Sequence, residues 1–331
     1  MRAVIERVSS LKGIVSAPPS KNYSSRYIWI ASLTKGRSQV VQPASNDDAK
    51  ALVEACRQLG ASIQDEGDKL IIDGFGDSPR PVKELNPGNG GLILRLLLAL
   101  GLRLPDVTYR TDYIDSLGKR PQNDLLQAIS SLGVRVESED GHLPIRLYGR
   151  ADQGGSTVQV SGAVSSQFAT ALLLIAPLFR EGLTIQIING LRSRPPLETT
   201  LEVMQEAGIE VESNWDKLIF TVPPGQRYQP RIYHVPGDYP AASALLAAAC
   251  IVPSHVRVER LFQDAQGERA VLDGLIQMGA DLQYDGKAVD LRGGKPLKGI
   301  KFNGDQAIDG VLAMAAAAAF AEGETRFFWS R

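Results

Sequence analysis

The sequence predicts a two-domain α/β (α+β) fold in which one supersecondary unit is used repeatedly. Three observations support this prediction. The chain of 331 residues is long enough for two domains with separate cores. Helix-like segments that end in glycine recur at a nearly constant spacing. The segments between them are apolar on nearly every face, as expected for helices inside a domain.

The first type of helix has one apolar face, a closing glycine and then a short alternating strand. Its apolar residues are three or four positions apart, and the glycine suits the left-handed residue that often ends a helix. The four segments are DAKALVEACRQLGASI, QNDLLQAISSLGVRV, LETTLEVMQEAGIEV and ERAVLDGLIQMGADL. Their glycines, Gly60, Gly133, Gly208 and Gly279, are 73, 75 and 71 residues apart. This spacing predicts four outer helices from four copies of one unit.

The second type of helix is apolar all round and alternates with the first along the chain. The five segments are RYIWIASL, LILRLLLALGL, FATALLLIAPLF, ASALLAAACIV and GVLAMAAAAAFA. Each unit therefore contains a strand, a buried helix, a strand, an outer helix and two short strands. Four complete units and half of a fifth fit into the chain.

Composition and charge exclude several classes of protein. The 36 basic and 37 acidic residues give a net charge of −1, which argues against a globally basic nucleic-acid binder and against an acidic disordered tail. The apolar runs are shorter than the ~20 residues of a membrane-spanning helix. The first residues, MRAVIERVSS, lack the apolar centre of a signal peptide. Together these features favour a cytoplasmic protein.

The cysteines and histidines also argue against some kinds of chemistry. Cys56 and Cys250 lie within apolar helical patterns, so we expect both to be reduced core residues. His142, His234 and His255 do not have the spacing of metal ligands. Zinc-dependent hydrolysis and a Ser-His-Asp triad are therefore poor hypotheses.

The segments that lead into the buried helices are rich in glycine, serine, asparagine and aspartate. They are residues 20–26, 87–91, 161–167, 236–243 and 303–310. One interpretation is that each is simply a good helix N-cap. The other is that several helix N-termini converge on one anion site, since the positive end of a helix favours anions. Basic side chains at or near two of these segments, those of Lys21, Arg26 and Arg95, favour a polyanionic substrate.

At these segments the sequence resembles the enolpyruvyl transferase superfamily, and within it the 5-enolpyruvylshikimate-3-phosphate synthase family. The matching motifs are PPSKNYSSR at 18–26, GNGGLILR at 88–95, S-L-x-x-R-P at 116–121, SSQF at 165–168, residues 193–200, residues 236–242 and Asp309. Their order and spacing agree with the family from residue 11 to about residue 328.

The resemblance implies two domains of βαβαββ repeats, with the chain starting in one, building the other and then returning. It places residues 1–18 and 236–331 in the first domain, which is incomplete, and residues 19–235 in the second, which has three repeats. The implied reaction transfers the enolpyruvyl group of phosphoenolpyruvate to the 5-hydroxyl of shikimate 3-phosphate. Neither a metal nor an organic cofactor is implied, nor a nucleic acid or a membrane, and the family implies a monomer.

The resemblance also implies a set of site residues. Asp309 is the expected general base, and Lys21 is expected to meet the phosphate of phosphoenolpyruvate. The other residues expected at the phosphoenolpyruvate site are Asn89, Gly91, Arg95, Arg120 and Gln167. Those expected at shikimate 3-phosphate are Lys21, Asn22, Arg26, Ser165, Ser166, Gln167, Ser193 and Asp309. For Arg95, an ordinary surface ion pair is the alternative interpretation.

Several positions depart from the family pattern. Asn22 replaces a serine, Leu92 a threonine and Pro196 a tyrosine, while Pro240 and Ala241 stand where two serines are usual. These changes leave three alternatives open. The chain could be a weakened transferase, a transferase for another cyclic alcohol, or a non-catalytic relative that binds an anion or a partner chain.

The chain is also shorter than the family pattern, which the resemblance implies continues for roughly 90 further residues, so that the last one to one and a half repeats are missing. A repeat array without its next unit leaves an apolar face uncovered. We therefore expect exposed apolar surface at Phe320, Phe327, Phe328 and Trp329, pairing with another chain, or a sequence that is a fragment.

Overall fold

The computed structural model describes residues 8–150 and 155–329. The chain forms two compact units, passing from one to the other between Ser20 and Lys21 and returning between Val235 and Pro236. We call Lys21–Val235 the middle unit, and the described residues before and after it the terminal unit. The resemblance suggests a first crossing after residue 18, two residues earlier.

The bounds of the helices and strands are as follows. The α-helices in the described ranges are α1 (Lys21–Ser32), α2 (Asp47–Gln58), α3 (Gly91–Leu100), α4 (Asn123–Ser131), α5 (Gln167–Ile175), α6 (Pro195–Glu206), α7 (Tyr239–Ile251), α8 (Ala270–Gln277) and α9 (Val311–Ala318). The strands are β1 (Leu11–Ser16), β2 (Lys35–Val41), β3 (Ser62–Asp65), β4 (Lys69–Phe75), β5 (Glu84–Leu85), β6 (Val107–Tyr109), β7 (Arg135–Glu139), β8 (His142–Tyr148), β9 (Ser156–Gly162), β10 (Leu183–Leu191), β11 (Glu212–Asn214), β12 (Ile219–Val222), β13 (Ile232–His234), β14 (Ser254–Glu259), β15 (Asp281–Tyr284), β16 (Ala288–Gly293), β17 (Leu297–Lys298), β18 (Lys301–Asn303), β19 (Ala321–Glu322) and β20 (Arg326–Phe328).

The two predicted types of helix are present and alternate as expected. The outer helices α2, α4, α6 and α8 are each followed by the predicted glycine. These glycines have φ values of 110°, 84°, 82° and 96°, in the left-handed region where a side chain is strained. The prediction that they close the helices is therefore confirmed.

The repeated unit is visible in four sheets of identical topology. Their strand orders are β13-β2-β4-β3, β5-β6-β8-β7, β9-β10-β12-β11 and β1-β14-β16-β15. In each sheet the first two strands are parallel, and the remaining neighbours are antiparallel. The half unit contributes two parallel pairs, β17 with β19 and β18 with β20.

Two sheets receive their first strand from a distant part of the chain. The strand β1, which precedes α1 in sequence, pairs with β14 in the terminal unit. Its place beside β2 is taken by β13, at the end of the middle unit. The terminal unit therefore completes a sheet with a strand from before the middle unit, and the middle unit completes one with a strand from its own end.

Burial of the apolar helices differs between the units. Nine of the ten residues of α3 and eight of the nine residues of α5 are buried. In α9 only Ala313, Met314 and Ala317 are buried, and Leu312 is 80% exposed. The prediction that the fifth apolar helix is enclosed was therefore wrong, because an apolar helix is buried only where neighbouring elements surround it.

Other expectations for the core are confirmed. Cys56 and Cys250 are both buried and free of disulfides. Phe320, Phe328 and Trp329 are exposed as expected. Phe327 is an exception, because it is half-buried and its ring meets that of Phe302 edge to face. In the described ranges, no helix has the length and apolarity needed to cross a bilayer.

Candidate anion site

Arg95 lies one turn inside α3 and bonds to neutral groups from two other segments. Its Nη1 donates to Oγ of Ser165 at 3.0 Å and also to Oε1 of Gln167. Its Nε donates to Oε1 of Gln122 at 3.2 Å, and its guanidinium carbon lies 4.7 Å from the ring centroid of Phe168. Because Arg95 is only 8% exposed and its bonds go to neutral oxygens, the interpretation as a surface ion pair was wrong.

Arg120 reaches the N-terminus of the same helix. A Cβ atom on Gly91 would lie 3.0 Å from Nη1 of Arg120 and 3.8 Å from both Nη1 of Arg95 and Oε1 of Gln167. Glycine at this position therefore lets two guanidinium groups approach the first turn of α3. Gln122 ties them together, because its amide nitrogen also donates to the carbonyl of Arg120 at 2.9 Å. We call Gly91, Arg95, Arg120, Gln122, Ser165 and Gln167 the arginine-pair cluster.

The electrostatics of the arginine-pair cluster favour an anion. Burial, and then the positive charge of Arg120, lower the pKa of Arg95 to about 10. No side chain caps the N-terminus of α3, where Gly90 is the N-cap residue. Two close guanidinium groups and uncapped backbone N–H groups would be stabilised by a carboxylate or a phosphate.

The loop into α3 contains a polar atom that lacks a partner. Among the described residues, Oδ1 of Asn89 is one of five buried side-chain polar atoms without a hydrogen bond. A buried carbonyl oxygen without a donor is unfavourable. Beside the arginine-pair cluster, Oδ1 of Asn89 therefore lacks a hydrogen-bond partner, just as the N-terminus of α3 lacks a side-chain cap.

Lys21 is brought to the same helix end through an acidic partner. As the first residue of α1, it forms an ion pair with Asp48, whose Oδ2 is 3.0 Å from Nζ. A Cβ atom on Gly90 would lie 3.1 Å from Oδ1 of Asp48. The Lys21 side chain is 54% exposed. Asp48 therefore connects the start of α1 with the start of α3.

Arg26 is held by the protein on three sides. It is 1% exposed and donates to Oγ1 of Thr200 at 3.0 Å, to the Asn22 carbonyl at 3.0 Å and to the Pro196 carbonyl at 2.9 Å. Burial lowers the pKa of Arg26 to about 10. Pro196, which stands where the family has a tyrosine, thus accepts one of the three hydrogen bonds of Arg26 through its backbone carbonyl.

The predicted serines lie after two neighbouring strands. Ser165 and Ser166 follow β9, and Ser193 follows β10, which runs parallel to it. A bond of 2.9 Å from the Arg192 N–H to the Gly162 carbonyl joins the two loops. Ser193 is buried and has a φ of 62°, an uncommon conformation for a residue with a side chain. Strained, buried hydroxyl-bearing residues after parallel strands are a frequent setting for ligand binding.

Asp309 lies in the terminal unit, in an exposed turn directly before α9. The N-cap of α9 is the next residue, Gly310, so the Asp309 side chain does not serve as the cap. The backbone of Asp309 lowers the pKa of the Glu268 carboxylate, and the charge of Asp309 raises it. All the other predicted site residues belong to the middle unit.

Sequence reasoning missed Asp48, Gln122 and Glu268. Asp48 looks like an ordinary acid in the first turn of α2, so it carries no distinguishing signal. Gln122 could have been noticed, because it directly follows the predicted motif at 116–121 and is a buried amide. Glu268 lies directly before the outer helix α8. Nothing in its local sequence distinguishes it, because the effect of Asp309 on its pKa comes from a segment that is distant in sequence.

Other departures from the family pattern also have structural roles. Leu92, where the family has threonine, joins the core of the middle unit. At Ala241, where serine is usual, the backbone N–H donates to Oδ1 of Asp238 at 2.9 Å and so caps α7. Across residues 8–150 and 155–329, no group of three or more His, Cys, Asp and Glu side chains is arranged to hold a metal ion.

Solved structures share this architecture. An EPSP synthase from Acinetobacter baumannii superposes with a TM-score of 0.80 at 26% identity, over 96% of this chain and 73% of that one. The enolpyruvyl transferase NikO from Streptomyces tendae superposes with a TM-score of 0.74 at 18% identity, a likeness of fold alone. The fold is therefore that of the enolpyruvyl transferases.

Sequence comparison specifies the family further. The sequence model described as EPSP synthase (3-phosphoshikimate 1-carboxyvinyltransferase) matches residues 5–327. The chain belongs to the EPSP synthase family. A 3-phosphoshikimate 1-carboxyvinyltransferase of Deinococcus radiodurans is 41% identical over 97% of this chain and 73% of its own length. One from Methanosarcina mazei is 38% identical over 98% and 76%.

Proposed function

We propose that this chain transfers the enolpyruvyl group of phosphoenolpyruvate to the 5-hydroxyl of shikimate 3-phosphate and releases inorganic phosphate. The observation that carries the proposal is the arginine-pair cluster, in which two guanidinium groups meet an uncapped helix N-terminus. Both substrates carry a phosphate and a carboxylate, so their recognition requires such a concentration of donors. Membership of the EPSP synthase family supplies the reaction.

Phosphoenolpyruvate is assigned to the arginine-pair cluster and its surroundings. Arg120 is the exposed cation of the pair and is expected to contact an anionic group directly, while Arg95 supports it from the buried side. Asn89, Gly91 and Gln167 supply amide and backbone groups at the same helix end. Lys21 would exchange its ion pair with Asp48 for the phosphate.

Shikimate 3-phosphate is assigned to the loops after β9 and β10. Ser165, Ser166 and Ser193 are expected to donate to its 3-phosphate, with Gln167 and Lys21 nearby. Asn22 is the second residue of α1 and Arg26 lies one turn further along it, and both are expected to meet the carboxylate or ring hydroxyls. The three bonds of Arg26 to the protein fix the direction of its guanidinium.

The reaction also requires three proton movements. The methylene carbon of phosphoenolpyruvate gains a proton, and the 5-hydroxyl loses its proton as its oxygen bonds to C2. The new methyl group then loses a proton as the C2–O bond to phosphate breaks, which restores the carbon–carbon double bond. A general base must accept the proton of the 5-hydroxyl, and a carboxylate suits this task. We assign it to Asp309, an exposed carboxylate at the start of α9.

The chemistry is proposed to need only small-molecule partners and to take place in the cytoplasm, as a monomer. The two buried free thiols, Cys56 and Cys250, agree with a reducing compartment.

Binding measurements test the substrate assignments. In isothermal titration calorimetry with phosphoenolpyruvate in the presence of shikimate 3-phosphate, Arg120→Ala is expected to lower affinity about 10- to 100-fold, as loss of a charge-assisted contact does. Arg37→Ala is the matched control, because Arg37 forms an exposed pair with Asp73 on neighbouring strands. Equal affinities for the two variants would contradict the assignment of Arg120.

Turnover tests the reaction. Phosphate release from the two substrates is expected to fall roughly 100- to 10,000-fold in Asp309→Asn, while shikimate 3-phosphate still binds. Glu322→Gln, at an exposed carboxylate in β19, is the control. Binding without phosphate release from the unmodified chain would instead favour a non-catalytic relative. Reaction with another cyclic alcohol but not with the shikimate ester would point to a different acceptor.

A further inference from the structure

We infer that Gln122 is a positioning residue for the two arginines of the arginine-pair cluster, and that its neutral amide leaves both of their charges available to phosphoenolpyruvate. The inference rests on the proposed assignment of phosphoenolpyruvate to this cluster. It concerns a residue outside the predicted motifs, and every group in the argument belongs to the middle unit.

The first support is the place of the Gln122 side chain between the two arginines. Its Oε1 accepts from Nε of Arg95 at 3.2 Å, and its Nε2 donates to the backbone carbonyl of Arg120 at 2.9 Å. Gln122 is fully buried, so water does not compete for either bond. The Arg120 N–H donates to the Leu117 carbonyl at 3.1 Å. The backbone from which the Arg120 side chain projects is therefore held on both sides.

The second support is that an amide suits both bonds at once. A side chain in this place must accept a bond from Arg95 and donate another to the carbonyl of Arg120, and glutamine does both. An ionised glutamate can only accept, so it would place a second oxygen against that carbonyl. An apolar side chain makes neither bond. A reversed amide would oppose two donors at Arg95 and two acceptors at Arg120, so the two bonds also fix its orientation.

The third support is that no carboxylate of the described residues bonds to Arg95. Its other acceptors are Oγ of Ser165 at 3.0 Å and Oε1 of Gln167, which are neutral. A buried cation without an anionic partner is unfavourable, and Arg95 is 8% exposed. Nη1 of Arg95 and Nη1 of Arg120 both lie within 4 Å of the place a Cβ atom on Gly91 would take. An anion bound here would be attracted by both charges, which a carboxylate in place of the amide would weaken.

The local fold around Gln122 is held by its backbone. Its N–H donates to the Gly141 carbonyl at 2.9 Å, and its carbonyl accepts from the Leu126 N–H at 2.9 Å. Gln122 is the N-cap residue of α4, but its side chain does not cap the helix. Substitutions of similar size therefore change the two side-chain bonds and leave the start of α4 in place.

The first experiment follows the bond to Arg95 and needs no turnover. In the full chain labelled with nitrogen-15 arginine, the Nε–H resonance of Arg95 is assigned by its loss in Arg95→Lys. Gln122→Met should make this N–H exchange with water roughly tenfold faster, because a hydrogen bond is lost, whereas Gln122→Glu should keep the exchange slow. The Nε–H of Arg37, which bonds to Asp73, is the internal reference. Unchanged exchange in Gln122→Met would overturn the inference.

The second experiment measures the affinity for phosphoenolpyruvate by isothermal titration calorimetry in the presence of shikimate 3-phosphate. Gln122→Glu should lower it about 10- to 100-fold, because the added carboxylate pairs with Arg95 and reduces the positive charge of the cluster. Gln122→Met should lower it less, roughly threefold to tenfold, because the charges remain but lose their fixed direction. Gln127→Glu is the matched control, since it adds the same charge at an exposed position of α4 and should bind like the unmodified chain.

Shikimate 3-phosphate, titrated alone, separates positioning from damage to the fold. Its affinity should change by less than about threefold in Gln122→Glu and in Gln122→Met, because it is assigned to loops that keep their backbone bonds. Equal losses of affinity for the two substrates would mean that Gln122 serves the fold alone. Equal losses of phosphoenolpyruvate affinity in the two variants would refute the argument from charge.

The inference and the assignment on which it rests fail in different ways. If Arg120→Ala binds phosphoenolpyruvate as tightly as the unmodified chain, this substrate lies elsewhere, and the inference fails with its assignment. If Arg120→Ala loses affinity while Gln122→Glu and Gln122→Met keep it, the assignment survives and the role of Gln122 is refuted.

Discussion

The helices α5 and α9 occupy equivalent places in their repeats but have opposite environments. Both are apolar nearly all round, and both follow a loop that carries predicted site residues. In α5 every residue after the first is buried, whereas α9 exposes Leu312 at 80% of its surface and is followed by an exposed Phe320. The middle unit surrounds its apolar helices with three complete repeats, and the terminal unit has one complete repeat and a half.

The contrast teaches that repeat identity and burial are separate properties. The pattern of residues determines which segments become helices, while the number of neighbouring repeats determines how much of the surface of each helix is buried. An exposed apolar face around Leu312 and Phe320 is the consequence in the terminal unit.

The largest expected effect distinguishes the two helices directly. Leu172→Ala in α5 should lower the free energy of unfolding by about 2–5 kcal/mol, because it leaves a cavity in a full core. Leu312→Ala in α9 should change it by less than about 0.5 kcal/mol. Urea unfolding would be followed by Trp29 fluorescence for the first variant and by Trp329 fluorescence for the second. Similar losses in the two variants would mean that α9 is covered in solution.

The next largest expected effect is a pH-dependent change in the free energy of unfolding, which arises within the terminal unit. The pKa of Glu268 is about 7 in the folded chain against an ordinary value of 4.5. As the pH rises between these values, the unfolded chain loses its proton first, so stability falls. Glu268→Gln removes this loss and should be more stable by up to about 2 kcal/mol at pH 8, with little difference at pH 4.5.

The measurement is unfolding by urea at pH 4.5, 6 and 8, followed by Trp329 fluorescence. Glu322→Gln, an exposed carboxylate in the same unit, should show no such trend. A gain in stability that is the same at every pH would rule out titration of Glu268 as its cause.

A smaller effect should be confined to the middle unit. Inorganic phosphate at roughly ten times its Kd should raise stability by about 1.4 kcal/mol through binding to the arginine-pair cluster. The increase should appear in Trp29 fluorescence, be absent from Trp329 fluorescence and disappear in Arg120→Ala. Equal shifts in both signals would indicate a general salt effect.

The smallest expected change in stability comes from the exposed face. The double variant Leu312→Lys with Phe320→Lys should change the free energy of unfolding by no more than about 0.5 kcal/mol, because both side chains are largely in water. It should reduce self-association of concentrated protein in sedimentation velocity. Arg37→Lys, a substitution of an exposed residue that keeps its charge, is the control and should change neither the stability nor the self-association. A fall in stability beyond 1.5 kcal/mol would show that these side chains support the fold, contrary to their exposure.

Many residues of the candidate site could be predicted from motifs, but the hydrogen bonds that link these residues could not. The motifs led to Gly91, Arg95, Arg120 and Gln167, and the structure brings these four together. Gln122, which links the two arginines, was not predicted. Its role depends on a bond from Arg95, in α3, to the residue directly before α4, and no pattern within either segment encodes that bond.

The sequence by itself determined the units of this protein. Apolar periodicity, closing glycines such as Gly60 and the spacing of about 73 residues act within a few turns of chain, so they are visible without a structure. Membership of the family follows from the same residues.

Only the tertiary structure decided how the units are completed. The pairing of β1 with β14 and of β13 with β2 joins residues that are distant in sequence, and so do the bonds that bury Arg26. The exposure of α9 depends on which distant elements pack against it. The physical reason is the range of the forces involved. Helix propensity and capping depend on neighbours along the chain, whereas desolvation and the pairing of buried charges depend on whichever residues folding brings near.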